Sequence, residues 1–465
     1  MNNQGFNFNQ NNMVMNNNNM MFNNMNMMNN NNMMNNNMNM MNSNMNMMNN
    51  NNMMFNNMNM MNNNNMMNCM NIPQMAKSTN MVLNRHGVIA NNNNQNNNTN
   101  NNNNQLNNNN NAKMHLNKVG LKNLGQTCYM NSSLQCLANI DIFSKGILNI
   151  FQNFNQNNHP LTFAYTWLLY HLKYSNEKYL DPSYFKSIVG KLNPLFEGNN
   201  ASDAKDLILF ILQRLHLELK PPKQNSNNQI DFIRQEQISL NEKESFDNFY
   251  NDFNSTRTLV SDTFHGIFKI KLKCDGCGKI KYSYQTFNML SFILKKVKED
   301  KIKELGQQFY DGINIFDAFR NDETEEILTG ENMIYCNSCQ GTFPGSTQQS
   351  IYELPPVLIV ALNRGKDNLD FNEEFNFPEV LDINQIGLVA SNNYKNKRFF
   401  LCGVITHLGE SSSSGHFICY CRNDLNDPFV CYNDTQVIDG IEIDEGMKCN
   451  ISKNSYEKRT PYILF

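Results

Sequence analysis

The chain has 465 residues, a formal charge of −3 and twelve cysteines. A slightly acidic balance argues against nonspecific nucleic-acid binding, which is driven by phosphate neutralisation. No run of about 18 apolar residues occurs, so no membrane span is expected.

The first 111 residues are dominated by Asn and Met and contain no Asp or Glu; their only Lys and Arg are Lys77 and Arg85. Asn favours turns and local side-chain hydrogen bonds over helix or sheet, and no sustained apolar period appears. Residues 1–111 are therefore expected to be a disordered low-complexity tail. Its two positive charges leave −5 on the remaining, foldable part. The N-terminus lacks the basic and apolar regions of a secretory signal, so a cytosolic or nuclear, reducing location is expected. Cysteines in that setting point to metal or catalysis before disulfides.

At Gly120 the texture changes to GLKNLGQTCYMNSSLQCL. Cys128 stands between a polar loop and an apolar, helix-like run. At a helix start, free N–H groups and the positive dipole end favour a thiolate. Asn123 lies five residues earlier in the loop, and its side-chain amide could donate to an oxyanion formed at the cysteine.

The next hundred or so residues read as helical. In SDAKDLILFILQRLHLEL, residues Ala204, Leu207, Ile208, Ile211, Leu212 and Leu215 fall on one helix face. Ser202 is the expected N-cap, and Asp203 suits the positive end of the dipole. From Lys220 to about Ser261 the chain is polar and weakly periodic, and a loop or insertion is expected.

GIFKIKLKC and KIKYSYQTF then alternate with strand period. CDGC supplies Cys274 and Cys277, and CNSC supplies Cys336 and Cys339. Two C-x2-C pairs in turn-like sequence match a tetrahedral Zn²⁺ site, structural because four thiolates close the coordination sphere. The pairs are far apart in sequence, so the fold must join them at the tip of paired strands. A short helix near Ile313 to Arg320 lies between them. YELPPVLIVALNR reads as a buried strand, and the last hundred residues as strand-rich. Helices first and strands afterwards imply α+β with segregated layers.

His416 follows a small-residue loop in SSSSGHFICYC and opens a strand. The next strand is PFVCYND. A hairpin centred on Leu425 would place His416 opposite Asp434, with Asn433 beside it. Either residue could orient the imidazole.

These segments resemble the ubiquitin-specific proteases, papain-like cysteine deubiquitinases. GLKNLGQTCYMNSSLQCL resembles their cysteine box, and SGHFICYC with FVCYNDTQV their histidine box. FHGIFKIKLKCDGC with MIYCNSC is similar to their zinc-bearing fingers, and TPYILF to their last strand. The resemblance covers nearly all of residues 116–465. It implies a helical thumb, zinc-tipped β fingers over approximately 262–360, and a β-sheet palm. It implies Cys128 as nucleophile, His416 as base, Asn433 as third member and Asn123 in the oxyanion hole. Asp434 is kept as an auxiliary orienter. Zn²⁺ would be structural, and the partners would be ubiquitin and ubiquitinated proteins.

Departures from the pattern are visible. Gln126 stands where Asn is commoner, and Ala201, Ser202, Asp203 and Ala204 stand for Gln-Gln-Asp-Ala. Asp203 is retained and is expected to meet the ubiquitin tail. His407 is a further candidate lining that channel. Two other readings stay open: a protease for a ubiquitin-like modifier, and a catalytically silent ubiquitin-binding scaffold.

Overall fold

The computed structural model describes residues 118–151, 154–221, 239–365, 371–386, 398–411, 414–442 and 459–465. The chain divides into two units, Met1–Val82 and Leu83–Phe465, and every described residue belongs to the second. The tail expected over 1–111 lies outside the described residues.

Five helices come first: α1 (Cys128–Ala138), α2 (Asp141–Ile150), α3 (Pro160–Tyr174), α4 (Ser183–Leu192) and α5 (Ala204–Glu218). A two-residue strand β1 (Gly120–Leu121) precedes them and pairs in parallel with β2 (Tyr179–Leu180). All eleven residues of α1 are buried. A helix apolar on one side only would not be placed so; Asn131 and Gln135 enter because their amides donate to main-chain carbonyls of residues 119, 121 and 122. The six apolar positions expected to line α5 are all fully buried. Its N-cap is Asp203 and not Ser202, because the helix begins one residue later; Asp203 Oδ1 accepts from the Lys205 N–H at 2.8 Å.

The expected loop before Ser261 is corrected in its second half. Residues 222–238 lie outside the described residues, but α6 (Leu240–Ser255) and α7 (Leu259–Phe264) follow. Ser239 caps α6. Phe246, Phe249, Tyr250 and Phe253 recur at helical spacing and pack on Tyr284 and Tyr352 of the neighbouring strands. The polar background of α6 hides this aromatic stripe.

Two larger sheets carry the rest. The finger sheet has the order β4–β3–β10–β7, from β3 (Gly266–Cys274), β4 (Ile280–Phe287), β7 (Glu326–Leu328) and β10 (Gly345–Glu353). A hairpin of β8 (Ile334–Cys336) and β9 (Gly341–Phe343) extends it. The long sheet uses β5 (Leu290–Ile293), β11 (Val360–Asn363), β15 (Gly403–Ser411), β16 (Ser414–Cys421), β17 (Phe429–Asn433), β18 (Gln436–Ile441) and β19 (Arg459–Leu464). Its order is β18–β17–β16–β15–β19–β11–β5. Short pairs join β6 (Ile313–Asn314) to β12 (Phe375–Asn376) and β13 (Val380–Asp382) to β14 (Arg398–Phe400). Helices α8 (Leu294–Leu305), α9 (Ile315–Asp322) and the short α10 (Ile383–Ile386) complete the fold.

The long sheet is covered on both faces. Ile405, Cys419, Cys421 and Ile463 join the core of the first five helices. Their neighbours Val404, Ile418, Tyr420 and Leu464 join a second core with Phe292, Val297 and Phe319. That alternation is the strand period at work. It makes α1 and β16 direct packing partners, which brings residues 128 and 416 to one place. The chain is α+β, as expected.

Candidate active site

Cys128 is the first residue of α1 and 9% exposed. The loop before it is shaped by Asn123, whose Oδ1 accepts from the Gly125 and Thr127 N–H groups, both at 3.1 Å. Gly125 has φ +143, a conformation that side-chain-bearing residues avoid. This turn sets Cys128 at the positive end of the helix dipole.

His416 lies near the start of β16. Its Nε2–H donates to Asn433 Oδ1 at 2.7 Å, while Asp434 Oδ2 stands at 3.6 Å. His416 is pushed up to about 9, first by its hydrogen bond to the Cys128 sulfur, against the opposing effect of burial, and further by Asn433 and the charge of Asp434. With Nε2 occupied, Nδ1 is the nitrogen left for sulfur.

The hairpin register differs from the expected one by a residue. Cys419 pairs with Tyr432, Tyr420 with Cys431 and Cys421 with Val430. Continued, this sets Ile418 opposite Asn433, so Asn433 shares the His416 face and Asp434 does not. A one-residue slip exchanges the faces of a strand. Asp434 instead begins the two-residue turn between β17 and β18, in the left-handed region at φ 52. From there its carboxylate reaches back to the thiol side. Asn123 Nδ2 donates to Oδ2 at 2.9 Å and Asn131 Nδ2 donates to Oδ1 at 2.7 Å. The Asp434 carbonyl also accepts from the Leu121 N–H. Gly120 is required there, because a Cβ would sit 2.6 Å from that oxygen.

Thus Cys128, His416 and Asn433 meet in one line, with Asn123 and Asp434 alongside. The family model described as "Ubiquitin carboxyl-terminal hydrolase" matches residues 119–465. The chain belongs to the ubiquitin carboxyl-terminal hydrolase family. It is 27% identical over 356 residues to ubiquitin carboxyl-terminal hydrolase 4 of Saccharomyces cerevisiae, covering 68% of this chain and 37% of that protein. It is 26% identical over 335 residues to ubiquitin carboxyl-terminal hydrolase 2 of Homo sapiens, covering 68% and 51%. The Drosophila melanogaster hydrolase Usp2 is 23% identical over 351 residues, covering 74% and 34%. The alignments thus span between about a third and a half of these hydrolases' length.

In this member of the hydrolase family Asp203 and His407 are held by partners other than the thiol. Asp203 Oδ2 accepts from the Tyr462 hydroxyl at 2.6 Å while its other oxygen caps α5. His407 is buried in β15, edge-on to Phe371 and Phe417, with its ring against Gly415. Phe417 in turn meets Tyr462, so a row of rings links the two candidates. Gln126 Oε1 accepts from the Ala201 N–H at 3.0 Å, joining the two segments that depart from the family pattern.

Cys274, Cys277, Cys336 and Cys339 form one group whose sulfurs all lie within 4.8 Å of each other. Cys274 and Cys339 are 4.0 Å apart, and Cys277 and Cys336 3.7 Å. Four thiolates at tetrahedral Zn–S bonds of 2.3 Å stand about 3.8 Å apart, so this set fits a metal ion. Each pair is followed by a left-handed residue, Gly278 at φ +68 and Gln340 at φ 54. The matching turns point both thiol pairs at one centre. Backbone N–H groups of Cys339 and Ser338 hold the Cys336 thiol down, to about 6, against what burial it has.

Asn131 is a residue that sequence reasoning missed.

Proposed function

We propose that this domain hydrolyses the bond after the C-terminal glycine of ubiquitin, releasing ubiquitin from a lysine amine. The observation that carries it is His416, held by Asn433 at 2.7 Å and placed where the Cys128 sulfur raises its affinity for a proton. The Cys128 thiolate attacks the carbonyl. His416, protonated, gives its proton to the leaving amine, and a thioester forms. His416 then takes a proton from water, which attacks the thioester and frees the carboxylate. An amide nitrogen carries two N–H groups. Asn123 commits one to Asp434 and has one left for the oxyanion. Asp203 is assigned to the ubiquitin tail, where its charge would attract arginine.

A silent scaffold is disfavoured, because nucleophile and base are both present and close enough for the sulfur to act on the imidazole. Ubiquitin is preferred over a ubiquitin-like modifier because the family and its compared members are named for it. The test is incubation with ubiquitin carrying a C-terminal electrophile, beside the same electrophile on ubiquitin-like modifiers, read by intact mass. An adduct on Cys128 with ubiquitin alone is expected. Labelling only by a ubiquitin-like protein, or at another cysteine, overturns the reading.

The metal assigned to the four finger thiols is zinc. When bound it supplies a rigid cross-link and no chemistry, since no ligand position remains for water. The thiol chemistry and thiol ligands both suit a reducing cytosolic or nuclear compartment. No described helix is long and apolar enough to cross a membrane.

A further inference from the structure

A second cysteine group lies outside both sites already described. Cys136 belongs to α1, and Cys419 and Cys421 to β16. Their three sulfurs lie within 4.8 Å of one another. Cys136 and Cys421 are 3.7 Å apart, the same separation as Cys277 and Cys336 in the fingers. A single buried cysteine is an ordinary small hydrophobe. Here three converge from two elements, because residues 419 and 421 share one strand face and α1 packs across it. The three are 0–2% exposed. Cys402 lies outside the group.

We propose that Cys136, Cys419 and Cys421 form a metal site for a soft monovalent ion, copper(I), held by three sulfurs. Three arguments select that ion. Thiolate donors favour copper(I), zinc and iron–sulfur clusters over harder ions. Structural zinc takes four ligands, and no fourth Cys, His, Asp or Glu joins this group among the described residues. The site is sealed, so water cannot complete a fourth position and an iron–sulfur cluster has no room between sulfurs this close. Loading forms three Cu–S bonds, breaks the S–H bonds that must yield, and releases those protons to solvent, with no change of oxidation state.

The placement gives the ion a consequence. α1 begins at Cys128, and β16 carries His416 three residues before Cys419. A bound ion would clamp the nucleophile's helix to the base's strand.

The experiment uses the full chain carrying Cys128→Ser, so that the reactive thiol cannot bind copper, with its fingers loaded with zinc. Copper(I) is added anaerobically as its acetonitrile complex, against bathocuproine disulfonate as competitor. Copper and zinc are counted by mass spectrometry, and copper coordination is read by X-ray absorption. Expected is a single copper per chain with three sulfur neighbours and no loss of zinc. Cys419→Ala and, separately, Cys136→Ala should lose that copper to the chelator. Cys277→Ser in the fingers should retain it. The proposal is overturned if no copper is retained, if copper enters only by displacing zinc, if zinc fills the site instead, or if both alanine variants keep the copper.

Discussion

Asn123 donates to the Asp434 carboxylate at 2.9 Å, across 311 residues of sequence. The loop before the nucleophile is thereby tied to the turn just after the residue that holds the base. The other Asp434 oxygen is tied to Asn131, inside the nucleophile's own helix. Asp434 therefore acts on the thiol side of the site more than on the imidazole, which it reaches only at 3.6 Å.

That division of labour separates the two neighbours. Asn433→Ala frees the imidazole to rotate, and kcat on a minimal ubiquitin substrate should fall roughly 10²–10⁴-fold, the scale seen when a base loses its orienter. Asn433→Asp should retain much of the rate, since a carboxylate accepts the same N–H. Asp434→Ala should be milder, bounded by the loss of one oxyanion donor, about 10²–10³-fold. Steady-state rates of the three variants decide. If Asp434→Ala is the more damaging alanine change, the roles are reversed.

The thiol itself is tested by Cys128→Ser. Turnover should drop on the order of 10⁴-fold or more, with ubiquitin binding changed little, because one oxygen replaces one sulfur. Binding is read by titration and turnover by a fluorogenic ubiquitin substrate. Substantial remaining turnover would mean another residue attacks.

His416 gives a prediction with a defined sign. Its largest upward influence is the Cys128 sulfur, and burial pulls the other way. In Cys128→Ala the imidazole should therefore titrate below its value of about 9 in the wild type. Imidazole NMR shifts across pH 5–11 measure it. A raised folded-state value favours the folded protein below the ordinary histidine range, and the benefit disappears as pH climbs through the folded-state value. The wild type should accordingly lose more urea resistance between pH 7 and pH 10 than Cys128→Ala does. An unchanged titration in the variant would show that the sulfur does not touch the ring.

The finger site predicts a single zinc per chain that copurifies and resists mild chelation. Stripping it should raise hydrogen exchange in β3, β8, β9 and β10 before the long sheet, because the metal stands in for core at a thin extension. Uniform loosening, or the four thiols alkylating freely in metal-replete protein, would contradict this.

How much of this was legible in the sequence depended on period and spacing. The buried face of α5 could be read residue by residue, since six apolar positions repeat at helical period without interruption. The thiol pairs of the fingers could be read because C-x2-C is a local geometric requirement. α6 could not, because its four aromatics are scattered among acids and asparagines and find their main partners in the distant finger sheet. The hairpin register was missed by one residue, since its connection between β16 and β17 has no tight two-residue turn to fix it. Asn131, and the bonds that the Asp434 carboxylate makes to it and to Asn123, were out of reach for another reason. Their bonds join segments about 300 residues apart, and no local pattern announces such a pairing.

The strand order has a consequence for how the molecule is made. β19, residues 459–464, lies between β15 and β11, in the middle of the long sheet. A ribosome releases the thiol-bearing helix early and this strand late. Until it arrives, β15 and β11 have open edges and no neighbour to join them. Distant pairings of this kind close slowly, and the edges are exposed to self-association meanwhile. Assembly of the cleft therefore waits for β19, and a chain stalled short of it would carry its cysteine beside a sheet still open at the centre.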